Sequence, residues 1–271
     1  VALYNTKKNY YYYGDNIINI VMGKAHYVFK LINNHDINLY TWRLWGGYIV
    51  NEENETLVKM WENSDAEGVI KLQGEADFLG GYHGDEYMTS ILFLFDGVKV
   101  DSFTSRRSGF FDNITLVVES LLYHCDTTYT AFNKIKKLIF ENGLLTIENQ
   151  LTAQTPDMIV ERCPLALFQC PNKDVNGNKT LNYTGSSNNV NLFEAPTSVP
   201  TGGNNMIGAT YHTNYATIDI NVLYGYDAPA YGGFFINYTS QDRIKVYFEI
   251  YDGQTLEVGQ VLKEKFSIKL T

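Results

Sequence analysis

The densest run of groups able to move protons or hold a ligand lies between Gly74 and Ser90, in GEADFLGGYHGDEYMTS. Tyr82, His83, Asp85 and Glu86 follow one another across a glycine-rich turn, just before a strongly apolar strand. Gly80, Gly81 and Gly84 permit backbone shapes that other residues resist, so the turn can gather an imidazole and two carboxylates at a strand end. A histidine beside a carboxylate is a proton-transfer pair, which makes His83, Asp85 and Glu86 the candidate catalytic group. The same nitrogen and oxygen atoms suit a metal ion. The same residues in a plain surface turn would simply be solvated. Solvated turn, ligand contact through Tyr82 and catalysis all stand open on these residues alone.

A second candidate is YTWRLWGGY, Tyr40 to Tyr48, where Trp42 and Trp45 flank Arg43. Indole rings offer flat apolar faces to a sugar ring, with a polar edge beside them. Three residues apart on a strand, the two indoles face opposite ways, so at least one belongs to the core. If the chain cleaved a uronate, Arg43 or Arg106 would supply the cation beside the carboxylate. Asp174, Asn176 and Asn178 are spaced like the start of a calcium loop. However, Lys179 and Gly185 stand where that loop needs glycine and glutamate, so an EF-hand is excluded. No cofactor is expected, and an irregular divalent-cation site in that stretch stays open. Nucleophile-elbow, P-loop, zinc-protease and dinucleotide signatures are absent.

The elements positioning these residues read as strands. ILFLF and VKVDSF flank Asp96-Gly97, KLIF and LLTIENQL flank Asn142-Gly143, and RIKVYFEIY and QTLEVGQVL flank Asp252-Gly253. Such dipeptides adopt the positive φ angles of two-residue hairpin turns. The 21 Tyr and 14% aromatic content fit pleated surfaces. Tyr129–Phe140 fits neither helical nor strand period cleanly and is read as a hairpin arm, with a helix as its alternative. The expected fold is all-β: a large antiparallel β-sandwich of supersandwich or jelly-roll type, with long loops and little helix. One domain over 1–271 is expected, with a polar loop excursion at about 171–205, where Asn, Gly, Thr, Ser and Pro dominate.

A net charge of −9 argues against nucleic acid as a partner. The basic groups at Arg106-Arg107 and Lys134, Lys136 and Lys137 read as solvated strand faces. No stretch approaches the ~20 apolar residues of a membrane helix, and VALYNTKKNYYYY has no signal-peptide core. Cys163 and Cys170, if extended, stand roughly 23 Å apart, too far for a disulfide. With Cys125 they are expected to be buried free thiols.

KLIFENGLLTIENQLTAQT, Lys137 to Thr155, resembles a segment of galactose-mutarotase-like supersandwich proteins, in which such a hairpin precedes a sugar-facing strand. The epimerases of that family next supply a histidine, where this chain reads DMIVERCPLALFQC. FLGGYHGDE before an apolar strand resembles segments of phage tail proteins. These resemblances point toward glycans and virion surface proteins and imply a cell-surface glycan as partner; the residues themselves offer Trp42, Arg43, Trp45, Tyr82 and Arg106 as its contacts. The expected function is carbohydrate recognition at a bacterial surface by a phage-tail receptor-binding type of domain. It would sit extracellularly or on a virion, as a homo-oligomer such as a trimer. The alternatives are a polysaccharide-active lyase, hydrolase or epimerase using His83, Asp85 and Glu86, and a structural surface protein without ligand.

Overall fold

The computed structural model describes residues 8–34, 39–51, 56–62, 68–81, 86–171, 182–187, 191–193, 201–204, 206–212, 217–224, 233–240, 243–249 and 253–271. The first strands are β1 (Asn9–Gly14), β2 (Ile17–Met22), β3 (Ala25–Asn34), β4 (Leu39–Asn51), β5 (Thr56–Glu62) and β6 (Lys71–Leu72). Next come β7 (Glu86–Phe95), β8 (Val98–Lys99), β9 (Arg107–Phe111), β10 (Asn113–Tyr123), β11 (Thr130–Glu141), β12 (Leu144–Ala153) and β13 (Met158–Arg162). The chain continues with β14 (Pro164–Pro171), β15 (Asn182–Ser187), β16 (Asn191–Phe193), β17 (Thr201–Asn204) and β18 (Met206–His212). It ends with β19 (Thr217–Tyr224), β20 (Gly233–Ser240), β21 (Arg243–Glu249), β22 (Thr255–Leu256) and β23 (Val261–Leu270). Among the described residues there is no helix.

Among the described residues these strands form four antiparallel sheets. A six-stranded sheet runs β5-β4-β3-β2-β1-β9, and a ten-stranded sheet runs β16-β15-β18-β19-β23-β12-β11-β10-β7-β8. Smaller sheets run β22-β13-β6 and β14-β21-β20-β17. The expected antiparallel β-sandwich is what the chain forms. Along β10 and β12 every second side chain is buried, as a sheet with one face on the core requires. Thr130–Glu141 pairs along its length with β10 and β12, so the hairpin reading of this stretch holds and the helical one does not.

The hairpins at Asp96-Gly97 and Asn142-Gly143 form as expected, with all four residues at positive φ. At the third expected turn, Asp252 lies outside the described residues, and the described arms on either side of it do not pair with each other. Arg243–Glu249 pairs with β14 and β20, while Thr255–Leu256 pairs with β13, so its two arms enter different sheets. A turn the dipeptide pattern passed over joins β1 to β2, where Asp15 and Asn16 take positive φ. Three short strands, β15, β16 and β17, lie within the Asn-rich stretch at 171–205. Cys125, half-buried, and Cys163, buried, are free thiols.

The inner face of the ten-stranded sheet carries two separate apolar clusters. In the first it meets the six-stranded sheet: Ile114, Leu116, Leu138, Phe140, Ile147 and Phe266 pack against Tyr27, Phe29, Trp42, Leu44 and Trp61. In the second it meets the three-stranded sheet: Leu122, Phe132, Leu151 and Leu262 pack against Leu72, Met158, Val160 and Leu256. Each large side chain buried in this way contributes about 1.5–3 kcal/mol relative to exposure.

Candidate functional site

Between the two apolar clusters the same inner face is polar. Ser120 on β10, Lys134 and Lys136 on β11, Asn149 on β12 and Glu264 on β23 are all buried. The register sets them side by side: Ser120 lies opposite Lys134, Lys136 opposite Asn149, and Asn149 opposite Glu264. Each shares its strand face with core residues two positions away, such as Phe132 and Leu138 on β11. The expectation that Lys134 and Lys136 form a solvated face is therefore corrected; of that trio only Lys137 is partly exposed. The parity of the lysines with Phe132, Leu138 and Phe140 was the available signal, as was that of Asn149 with Ile147 and Leu151.

Glu86 completes the row, and a β-bulge turns it inward. Along β7, Phe95, Phe93 and Ile91 face the core. At the junction with β10, Ser90 lies opposite Glu119 but Met88 lies opposite Ser120, leaving Thr89 as an extra residue. An extra residue reverses the alternation, so Met88 and Glu86 point inward while Tyr87 is exposed. Glu86 Oε2 then accepts hydrogen bonds from Lys134 Nζ at 3.0 Å and from the Gly81 amide at 3.1 Å. The Thr41 hydroxyl donates to Oε1 at 3.5 Å. At Gly80, φ is +77° and a Cβ would lie 2.8 Å from Leu122 Cδ2, so this approach of the turn to the sheet needs glycine.

Burial of Glu86 opposes its ionisation. The combined field of Lys134, Lys136 and Arg43, with the hydrogen bond from Lys134, outweighs that and holds the carboxyl down at about 2. Glu264 has the opposite environment. Burial alone pushes its carboxyl well above the usual carboxylate range, and its Oε2 has no hydrogen-bond partner. Two carboxyls on one polar row are thus shifted in opposite directions. Lys136 Nζ ties the row to the facing sheet by donating to the Trp42 carbonyl at 2.5 Å.

The residues singled out from sequence scatter. Arg43 and Glu86 are brought together, Arg43 being buried and acting on the Glu86 carboxylate. Trp42 is a core residue rather than a ligand platform. It is 3% exposed, stacked on Phe29 at 5.6 Å and edge-on to Phe93 and Phe103. Trp45 is half-buried, with Lys30 Nζ 3.3 Å from its ring centroid. Arg106 belongs to a separate outer cleft lined by β1, β2 and β9. Tyr82, His83 and Asp85 lie outside the described residues, as do Asp174, Asn176 and Asn178. Among the described residues no group of His, Cys, Asp and Glu is arranged to hold a metal ion, and no helix is long and apolar enough to cross a membrane.

No protein-family model matches the chain, and no curated protein matches it in sequence. Solved structures do match in fold. The galactosidase domain of the α-galactosidase–sucrose kinase AgaSK superposes with a TM-score of 0.57 at 7% identity, over 94% of this chain and 40% of its own. The family 36 α-galactosidase AgaA from Geobacillus stearothermophilus, solved with stachyose, gives 0.54 at 8% identity over the same shares. A putative aldose 1-epimerase from Escherichia coli K12 gives 0.50 at 9% identity, over 94% of this chain and 98% of its own. The chain therefore spans about two fifths of the length of the two α-galactosidases. It has the galactose-mutarotase-like β-supersandwich fold. The resemblance to phage tail proteins gains no support from these structures.

Proposed function

We propose that this chain binds carbohydrate along the inner face of its ten-stranded sheet and exchanges a proton with a sugar oxygen through Glu264. The observation that carries this reading is the polar row between two apolar clusters. Ser120 Oγ and Glu264 Oε2 are buried in it without a hydrogen-bond partner among the described residues, at a cost of roughly 1–3 kcal/mol each. Concentrating such groups on one level of adjacent strands serves a polar ligand better than it serves a core. The chemistry suits a sugar. Lys134, Lys136 and Arg43 donate hydrogen bonds, while Ser120 and Asn149 both donate and accept, as hydroxyl-rich ligands require.

On this reading Glu264, its carboxyl pushed well above the usual carboxylate range by burial and its Oε2 without a hydrogen-bond partner among the described residues, acts as an acid toward a ring or anomeric oxygen. Glu86, held ionised, is a positioning residue that fixes Lys134. The fold supports the substrate class, because two of the structures that share it are α-galactosidases and one is a putative aldose 1-epimerase. The row is closed to solvent, so on this reading the sandwich must open there for a sugar to reach it.

A second reading, recognition without turnover, is favoured by the share of the α-galactosidases that the chain spans. On that reading the chain is one domain of a larger carbohydrate-active protein. Recognition of a bacterial surface glycan by a phage-tail type of domain is its most specific form, supported by the Tyr-rich, acidic sequence.

Polarimetry on freshly dissolved α-D-galactose and α-D-glucose, with calorimetric titration of the same sugars, tests both. On the catalytic reading the protein speeds anomer interconversion, and Glu264→Gln lowers that rate by about 10²-fold or more while binding persists. Binding without acceleration favours recognition. A chain that neither binds nor accelerates overturns both readings.

A further inference from the structure

The outer face of the six-stranded sheet, turned away from the core, carries a connected line of rings. Phe110 on β9 lies edge-on to Tyr10 on β1 at 5.6 Å, and Tyr10 lies 6.3 Å from Tyr12. Tyr12 lies 6.0 Å from His26 on β3, which lies 6.1 Å from Tyr48 on β4. Strand alternation separates these rings from the core, since Tyr11 and Tyr13 point inward into the apolar cluster. Phe110 is 53% exposed and Tyr12 36%, whereas His26 is buried beneath the line, its Nε2 3.0 Å from Asn19 Oδ1.

Where the line reaches the β1–β2 turn, a cleft of about 640 Å³ opens, lined by Tyr10, Tyr12, Asp15, Asn19, Arg106 and Arg107 among others. That is within the range of ligand pockets, roughly 300–1,000 Å³. The cleft is built by close backbone approach. A Cβ at Gly14 would lie 2.7 Å from Arg106 Cγ and 3.2 Å from its Cα. Arg106 pairs with Asp15 at 3.2 Å, both side chains well exposed, so the pair opens at little cost. The Arg107 guanidinium, also exposed, has no ion-pair or hydrogen-bond partner among the described residues.

We propose that this cleft is a binding subsite for an acidic saccharide, a uronate-bearing oligosaccharide whose carboxylate pairs with Arg107 while its ring lies on Tyr12. Three features select that chemistry together. A guanidinium matches a carboxylate with two parallel hydrogen bonds. Exposed tyrosine faces take the apolar side of a sugar ring, and their hydroxyls, with Asp15 and Asn19, meet its hydroxyls. The overall charge of −9 repels a densely charged polyanion such as nucleic acid. A short uronate oligomer brings only a few carboxylates, a lighter load than a long polyanion. The subsite lies on the opposite sheet from the Glu264 row and does not depend on it.

Calorimetric titration of the whole chain with trimers of galacturonate, glucuronate, mannuronate and guluronate tests the proposal. At least one trimer binds, more weakly as salt rises, and its methyl ester binds more weakly still. Arg107→Ala and Tyr12→Ala each lower affinity about tenfold without changing the melting temperature, and Glu264→Gln binds as the native chain does. If no uronate trimer binds, or binding is unchanged in both cleft variants, the proposal is overturned. It is equally overturned if Glu264→Gln abolishes binding while the cleft variants retain it, because the acidic sugar then sits in the inner row.

Discussion

Glu86 and Lys134 meet at 3.0 Å on strands that do not pair with each other, with β10 running between them. Each side chain is 1% exposed. Their attraction is therefore neither screened by water nor relieved by it, and each charge depends on the other.

Removing one partner should cost more than removing both. Lys134→Met leaves a buried carboxylate short of its nearest cation and should destabilise the fold by about 3–5 kcal/mol. The double variant Glu86→Gln with Lys134→Met should recover most of that loss. Urea denaturation with unchanged slopes measures the difference, and a double variant no more stable than Lys134→Met would refute the coupling.

The inward direction of Glu86 rests on the extra residue at Thr89. Deleting Thr89 should restore plain alternation, turn Glu86 to solvent and bring Tyr87 onto the core face. A stability loss like that of Lys134→Met is expected, and Lys134→Met added to the deletion should then cost little more. Denaturation of the single and combined variants decides whether the two losses overlap.

The two buried carboxyls should shape stability against pH with opposite signs. Glu86 has its folded value lowered to about 2 from an ordinary 4.5, so its contribution is complete above about 4.5 and disappears as pH falls through 2. Glu264 has its folded value raised well above 4.5. Its contribution is complete below the unfolded value and is lost as pH rises toward the folded one. Glu264→Gln should therefore gain stability relative to the native chain between pH 4 and pH 7. Denaturation at both pH values checks this, and a pH-independent difference would contradict it.

His26 adds a third pH dependence. Burial lowers its folded value to about 4 from 6.5, so its contribution is present above 6.5 and is lost as pH falls to about 4. His26→Asn should flatten the stability profile across that window, measured by melting temperature at half-unit steps.

The two indoles should separate cleanly. Trp42→Ala opens a cavity among Phe29, Phe93 and Phe103 and should cost about 3–5 kcal/mol. Trp45→Ala removes a half-buried ring beneath Lys30 and should cost about 1 kcal/mol, the scale of a cation–π contact open to solvent. Equal losses would place both indoles in the core.

What the sequence made legible followed from short-range chemistry. Asp96-Gly97 and Asn142-Gly143 announce their turns because the dipeptide itself supplies the positive φ. Asp252-Gly253 carries the same signal, but the partners of the flanking segments are decided by sheets far away in the chain. The candidate site divides in the same way. Glu86 and Arg43 were identifiable by type, whereas Lys134 and Lys136 read as surface because charge was weighed above parity. Glu86 reaches Lys134 through a bulge that no local motif marks. The Glu264 position was readable only as one charged residue among the apolar, inward-facing Leu262, Phe266 and Ile268.

The polar row also bears on how the molecule comes apart. Hydrophobic cohesion is strongest where apolar surface is continuous, and here it is interrupted at Ser120, Lys134, Lys136, Asn149 and Glu264. The end of the sandwich held by Leu72, Val160 and Leu256 can therefore loosen without the end held by Trp42, Phe93 and Phe140. Backbone amides of β13 and β22 should exchange with deuterium through a smaller opening than those of β2 and β3, as two cooperative units would. On the proposed reading, the interruption that would receive a sugar would also let the two apolar clusters open as separate cooperative units.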